Sequence, residues 1–332
     1  MPAVPDLRNN VRVALLAAPL VLALAAAGCG GDSDAVTASA PSASDFPDPA
    51  GKTLEQIAQE GTQADVAVAP TESVFSTGKN RYGFGVFGVN GDPKEDAQVA
   101  LYASKAGKPA VGPFPAEVHS LKTKGAYTSA TTSNDPDAAT AVYTTTVDFP
   151  SKGRWQMLAM IEDDNGSFEY SAVQPANVGA ANDIPDVGDP APAIHTPTAD
   201  DVGGDLSKID TRQPPDDMHD TDFADVVGKE PVVLLFATPA LCQSRVCGPV
   251  VDIEEEVKNE RPDDAAYIHM EIYNDNQPDA SKPDNNARSQ VTDFGLMSEP
   301  WLFVIDSDGK VSTRIEGAFS ADELNEPLDK VS

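Results

Sequence analysis

The chain contains a short apolar run, Pro231 to Ala237, that ends just before two closely spaced cysteines, Cys242 and Cys247. A short run that is apolar at every position is typical of a strand buried on both faces. The following residues, Val250 to Glu260, repeat apolar side chains at helical spacing and place acids, among them Glu254 to Glu256, on what we expect to be a solvated face. A buried strand, a cysteine loop and an amphipathic helix in succession indicate an α/β unit.

The rest of the C-terminal part continues this alternation. Further strands are predicted over 265–273, 301–306 and 311–315, and further helices over 289–294 and 320–331, where Ser320 and Glu323 have the spacing of a capping box. The order β-α-β-α-β-β-α is that of the thioredoxin fold, and Leu235 to Cys242 resembles the strand-to-active-site turn of the thioredoxin-like family.

Two more segments carry the resemblance to that family. Glu299-Pro300, before the strand that starts at Trp301, resembles the cis-proline loop, and Gly188 to Pro192 resembles the entry segment of exported thioredoxin-like and peroxiredoxin domains. The resemblance implies a thioredoxin-like fold over 223–332, with its entry segment from about residue 185. It also implies that Glu299 and Pro300 face the cysteines and contact thiol substrates.

The cysteine spacing departs from the family, whose motif is Cys-x-x-Cys. Four residues separate Cys242 from Cys247, and in a continuous helix this spacing corresponds to a rise of about 7.5 Å, beyond the usual reach of a disulfide. Either both cysteines precede the helix or its first turn unwinds. Proline is favoured in a first helical turn, so Pro249 indicates a helix start near that residue. Cys247 then lies at the helix N-terminus, where the helix dipole and Arg245 are expected to lower its pKa.

Several chemistries remain open for this pair. We expect dithiol–disulfide exchange with other exported proteins, with Cys242 and Cys247 as catalytic residues and Arg245 in contact with substrate. The alternatives are a structural disulfide in a non-catalytic module and a peroxidase of the bacterioferritin-comigratory type, whose threonine is displaced here to Thr238. A copper site is a further option, for which His269 is the only histidine inside the domain. His195 and His219 lack partners at metal-ligand spacing, so no metal and no cofactor are predicted.

The N-terminus has the character of a targeting segment. Arginines precede an apolar stretch, and Ala26-Ala27-Gly28-Cys29 resembles the bacterial lipobox, in which the cysteine is lipidated and the preceding peptide removed. Residues 1–28 are therefore expected to be a signal peptide and Cys29 the lipid attachment site. The Ala-, Ser- and Pro-rich residues 29–61 are expected to be a flexible tether.

Residues 62–176 are predicted to form an all-β domain. The clearest signal is a hairpin, Arg154–Glu162 and Ser167–Gln174, joined through Asn165-Gly166. Several short strands with turn signals favour a β-sandwich of immunoglobulin-like architecture, although no Cys…Trp…Cys pattern is present. The acidic, Pro-rich residues 177–222 are expected to be a connector between two independently folding domains.

The net charge and the cysteine content indicate the cellular compartment and the kind of contact with the membrane. The formal net charge of −30 should repel nucleic acid and anionic lipid headgroups, so the membrane is expected as a partner only through the lipid anchor. Once Cys29 is assigned to lipid, the two remaining thiols would be expected to pair in an oxidising compartment. The predicted location is the extracytoplasmic side of the cell membrane.

Overall fold

The computed structural model describes residues 40–163 and 165–332, so Cys29 and the expected signal peptide lie outside the described residues. The strands are β1 Thr62–Gln63, β2 Val66–Pro70, β3 Gly78–Gly88, β4 Gln98–Ser104, β5 Val111–Pro115, β6 Glu117–Ser120, β7 Ala141–Phe149, β8 Gly153–Glu162, β9 Phe168–Val178, β10 Val232–Phe236, β11 Ala266–Met270, β12 Trp301–Ile305 and β13 Val311–Glu316. The helices are α1 Leu54–Ala58, α2 Ala130–Ser133, α3 Phe223–Val226, α4 Cys247–Glu260, α5 Ser289–Asp293 and α6 Ala321–Val331. Within these described residues, no helix has the length and hydropathy needed to cross a bilayer.

The N-terminal strands form two sheets that pack face to face. One has the order β1-β9-β8-β4-β5 and the other β2-β3-β7-β6. Aromatic side chains fill the space between the sheets, with Phe84 stacked on Tyr143 and Phe149 packed against Trp155. The predicted hairpin is present as the antiparallel pair β8 and β9. The alternating apolar residues of β8 all enter this core: Trp155, Met157, Ala159 and Ile161.

The expected tether over 29–61 needs correction in its second half. A 3₁₀ turn over Ala43–Asp45 and helix α1 lie on the outer face of the five-stranded sheet. Phe46 and Ile57 are buried there against Tyr102 and Met160. The reason is that β4 and β8 carry apolar side chains on both faces, so the outer face also has to be covered.

The C-terminal sheet has the order β11-β10-β12-β13, with β10 parallel to β11 and antiparallel to β12. Together with α4, α5 and α6, this is a thioredoxin-like fold. Strand β10 is central and completely buried, which explains its uninterrupted apolar sequence. The capping box predicted at Ser320 and Glu323 starts α6.

Residues 177–222 are not a detached connector. The Gly188 N–H donates to the Val311 carbonyl at the start of the edge strand β13, and the Ala191 N–H donates to the Gly309 carbonyl in the preceding turn. Ile184 and Ile194 enter the core on one side of the thioredoxin-like sheet. Met218 enters the core on the other side. The acids of this stretch therefore lie on a segment whose apolar residues anchor it to the sheet.

The sandwich and the thioredoxin-like part share buried contacts. Leu121 and Val142 of the sandwich belong to the same apolar cluster as α4. Ser73 donates from its backbone N–H and its hydroxyl to Glu316 on β13, both at 2.7 Å. Unfolding of either part would expose apolar surface of the other.

The expectation that Glu254 to Glu256 form a solvated face is wrong. Glu254 is completely buried and Glu256 nearly so. The sandwich covers the side of α4 that carries Glu256, which forms an ion pair with Lys124 at 3.0 Å. Glu254 points to a different side of the helix and is buried near Asp216 and His269. The sequence pattern could not show this, because an acidic helix face in isolation is indistinguishable from one covered by another part of the chain.

Candidate functional site

Cys242 and Cys247 form a disulfide in the loop between β10 and α4, with their Cα atoms 5.9 Å apart. Helix α4 starts at Cys247, two residues earlier than Pro249 indicated, and Val246 is its N-cap without a capping side chain. As the position of Pro249 predicted, Cys242 lies in the loop and Cys247 at the helix N-terminus. The Cys247 sulfur therefore lies where unpaired helix N–H groups and the helix dipole favour negative charge.

The two sulfurs differ in their surroundings. Cys242 is 6 % exposed and Cys247 is fully buried. The Ser244 hydroxyl lies 3.1 Å from the Cys242 sulfur. An incoming thiol can therefore reach Cys242 more readily than Cys247.

A loop of the sandwich, residues 129–139, packs against the disulfide loop. Ala139 donates its backbone N–H to the Arg245 carbonyl at 3.0 Å, and the Arg245 guanidinium forms an ion pair with Asp135 at 3.0 Å. Arg245 was expected to contact substrate and assist Cys247, but its charge is shared with Asp135. The sequence offered no local signal for this pairing because the two residues lie 110 positions apart.

Asp252 fixes that sandwich loop to α4. The Ser129 N–H donates to its Oδ2 at 3.0 Å, and Arg212 Nε donates to its Oδ1 at 2.8 Å. Arg212 also donates to the Tyr127 carbonyl at 2.7 Å. Asp252 is 1 % exposed, so both charges of this pair are held by several partners, as buried ions require.

A cleft of about 590 Å³ separates the sandwich loop from the disulfide loop. Cys242, Arg245 and Pro249 line one side, and residues 130–138 line the other. Cys242 thus borders this cleft, whose opposite wall is supplied by the sandwich.

The cis-proline loop lies on another side of the disulfide loop. The Glu299–Pro300 bond is cis, as the resemblance implied. Glu299 shares a cavity of about 250 Å³ with Ser244 and Val246. Burial, and secondarily the carboxylate of Glu271, raises the pKa of Glu299 to about 7. A group that changes its charge near neutral pH therefore lies beside the cysteine loop.

The residues named for the alternative chemistries have other partners. A peroxidase of this type also needs an arginine downstream of the cysteines, and the two arginines available for that role, Arg288 and Arg314, donate to backbone carbonyls. His269, the candidate copper ligand, lies against Asp216 and the Ala237 carbonyl. The arginine contacts give no support to a peroxidase. Among the described residues, the cluster that holds His269 includes neither cysteine, so it gives no support to a copper site that uses them. Sequence reasoning treated His219 and His269 separately, whereas the structure brings them together with Asp210 and Asp216.

The comparisons with known proteins give limited similarity. No protein-family model matches the sequence, and no curated protein matches it. A thiol:disulfide interchange protein of the thioredoxin family from Chlorobium tepidum is 18% identical, with coverage of 43% of this chain and 96% of the other, and a TM-score of 0.28. A second Chlorobium tepidum chain, named for the interchange protein DsbE, is 16% identical over 44% of this chain and 98% of the other, with a TM-score of 0.30. A ZirS C-terminal domain is 12% identical over 43% of this chain and 83% of the other, with a TM-score of 0.19. At these values the neighbours' activities do not transfer to this chain.

Proposed function

We propose that this protein is a lipid-anchored, extracytoplasmic thioredoxin-like protein that exchanges disulfides with exported proteins through Cys242 and Cys247. The observation that carries the proposal is the position of the disulfide. It closes a loop at the N-terminus of α4, with Cys242 facing a cleft and Cys247 at the first helical position.

Because the two sulfurs have different surroundings, the incoming thiolate attacks one of them and the other is the leaving group. A thiolate of an exported protein attacks the Cys242 sulfur and forms a mixed disulfide, while the Cys242–Cys247 bond breaks and Cys247 leaves as a thiolate. The helix N-terminus stabilises that leaving thiolate. A second substrate thiolate then attacks the substrate sulfur of the mixed disulfide, so the substrate acquires a disulfide and Cys242 leaves as a thiolate. Two electrons have passed to the protein, and a disulfide-bearing acceptor in the same compartment restores the starting state.

The sandwich has a role in this proposal as the second wall of the substrate cleft. We infer an immunoglobulin-like topology for it, since the orders β2-β3-β7-β6 and β9-β8-β4-β5 correspond to the two sheets of that architecture. Its loop 129–139 would select among exported thiols by contact beside Cys242. Lipid on Cys29 would hold the cleft near the membrane surface.

A structural disulfide is the second candidate, and the burial of both cysteines favours it. In that case the bond fixes the start of α4 against the sandwich loop. The two candidates differ in redox potential, because structural disulfides in exported proteins lie below about −300 mV and exchange-active ones lie above it.

The test is an equilibrium titration of the pair against glutathione or dithiothreitol buffers, combined with trapping of mixed disulfides. A potential above about −300 mV, with Cys247→Ser accumulating mixed disulfides that Cys242→Ser does not form, is the expected result. The Cys242→Ser/Cys247→Ser double variant is the control for adventitious thiols. A potential well below that value, with neither single variant trapping a partner, would leave the structural reading.

A further inference from the structure

Four side chains that the exchange chemistry does not use come together near Ala237, where β10 leads into the cysteine loop. They are Asp210, Asp216, His219 and His269, all buried, and one ligand atom from each lies within 4.8 Å of the others. His269 is on β11. The other three come from the segment before α3, which is attached to β11 through the hydrogen bond from His269 N–H to the Met218 carbonyl at 3.2 Å.

Two of the distances between these side chains have the value expected around one zinc ion, and one ligand atom from each of the four residues lies within 4.8 Å of the others. His219 Nε2 lies 3.3 Å from Asp216 Oδ1 and 3.6 Å from Asp210 Oδ2. His269 Nδ1 lies 3.8 Å from Asp210 Oδ1. Nitrogen and oxygen ligands at 2.0–2.2 Å from a tetrahedral zinc ion are about 3.3 to 3.6 Å apart. The contact of 2.7 Å between His269 Nδ1 and Asp216 Oδ2 is shorter and would have to lengthen on binding.

Within the described part of the chain, the ring nitrogen Nε2 of His219 has no hydrogen-bond partner. His219 is 2 % exposed. A buried ring nitrogen without a partner is costly. This nitrogen faces the carboxylates of Asp210 and Asp216, a position in which a bound cation would give it a partner.

The surrounding hydrogen bonds orient the ligand atoms inward. Asp210 accepts the backbone N–H groups of Arg212 and Asp216, each at 2.7 Å, and Asp216 accepts that of Met218 at 3.0 Å. His269 Nε2 lies 3.2 Å from the Ala237 carbonyl. Donation of that N–H leaves the Nδ1 lone pair for a metal, as in metal sites where the second ring nitrogen bonds a backbone carbonyl.

We propose that Asp210, Asp216, His219 and His269 bind one divalent first-row transition metal ion, zinc by preference. Two imidazole nitrogens with two carboxylates suit zinc better than magnesium or calcium, which prefer oxygen ligands alone. The two carboxylates balance the charge of the ion. Four protein ligands leave no open position, so the metal has a structural role. It joins the segment around 210–219 to β11 and, through Ala237, to the end of β10 that leads into the cysteine loop.

The test uses the purified full chain, stripped of metal by a chelator. Zinc and cobalt(II) are added in increments, with bound metal measured by elemental analysis and cobalt geometry by its visible spectrum. We expect one equivalent per chain, a tetrahedral cobalt spectrum without thiolate bands, and a rise in melting temperature with zinc. His219→Gln should weaken zinc binding at least 100-fold. His195→Gln is the matched control, since His195 is an exposed histidine paired with Asp222 outside the cluster, and it should bind zinc like the wild type.

Three results would overturn the proposal. They are no stoichiometric zinc in the wild type, equal zinc affinity in His219→Gln and wild type, and loss of binding in His195→Gln instead. If His219→Gln does not fold, anomalous scattering from crystals of the zinc-loaded wild type replaces it. A peak between the four side chains supports the site, and a peak only on the acidic surface contradicts it.

Discussion

Arg81 Nε lies 2.7 Å from Glu323 Oε1 and thereby joins sandwich strand β3 to α6, the last helix of the thioredoxin-like part. The same guanidinium donates to the Ala318 carbonyl at 2.7 Å and contacts Glu72 of the sandwich. Burial opposes ionisation of Glu323, but Arg81 outweighs it and the pKa of Glu323 is lowered. The two parts of the chain are therefore joined by a largely buried charge network as well as by apolar contacts.

Replacing Arg81 with alanine should destabilise the whole chain. The change leaves Glu323 without its cation, and removal of one partner of a buried pair costs about 3 to 5 kcal/mol. Because both side chains are about one-fifth exposed, we expect about 2 to 3 kcal/mol. Urea unfolding followed by tryptophan fluorescence measures this. Arg154→Ala, at an exposed arginine, is the control and should change stability little; equal effects of the two variants would contradict a role for the network.

The buried carboxyl of Glu72 should make stability depend on pH. Burial, offset in part by Arg81, raises the pKa of Glu72 to about 7 from a usual value of 4.5. The folded state therefore holds this proton more tightly than the unfolded chain, and the contribution to stability is lost as pH rises from about 4.5 through about 7. Glu72→Gln removes this loss. Its stability relative to wild type should rise by roughly 2 to 3 kcal/mol between pH 5 and pH 8, measured by urea unfolding at each pH. A constant difference across that range would show that Glu72 titrates normally.

The charge of Glu299 should affect exchange at the cysteine loop. Since burial raises its pKa to about 7, its carboxylate forms above neutral pH and repels an approaching thiolate. Reduction of the disulfide by glutathione should be equally fast in wild type and Glu299→Gln at pH 6. At pH 8.5 the variant should be a few-fold faster, as expected for one charge near the surface. Stopped-flow rates across this range test the prediction.

The control for Glu299 is Asp284→Asn, which removes an exposed carboxylate from a cavity that Glu299 also lines. It should follow the wild-type pH profile. A faster rate in both variants at pH 8.5 would point to a general charge effect of the cavity, and no change in either would contradict the role given to Glu299.

The lipid anchor on Cys29 can be tested directly. The motif Ala26-Ala27-Gly28-Cys29 predicts a diacylglyceryl cysteine at the mature N-terminus, and mass analysis of the protein from its native host should detect it. Cys29→Ser should release the chain from the membrane fraction, because attachment by acyl chains depends on that sulfur. Cys242→Ser is the control and should stay membrane-bound. A different mature N-terminus in the wild type would remove the lipid anchor from the proposal.

Much of the fold was predictable from local sequence. Four features were visible as patterns within a few residues: the apolar run of β10, the alternation in β8, the Asn165-Gly166 turn and the capping box of Ser320. The start of α4 was predicted to within two residues because Pro249 restricts the helix locally. The disulfide was also predictable, since Cys242 and Cys247 are close in sequence and are the two cysteines that remain once Cys29 is assigned to lipid.

What the sequence determined by itself is the set of elements and their order, because backbone geometry and side-chain periodicity act over one or two turns. Only the tertiary structure decided which polar residues meet. Asp135 reaches Arg245 and Ser129 reaches Asp252 because the sandwich packs on α4. His219 meets His269 because the segment before α3 lies along β11. These pairs are 50 to 123 residues apart, and no local pattern records which distant segment will cover a buried charge.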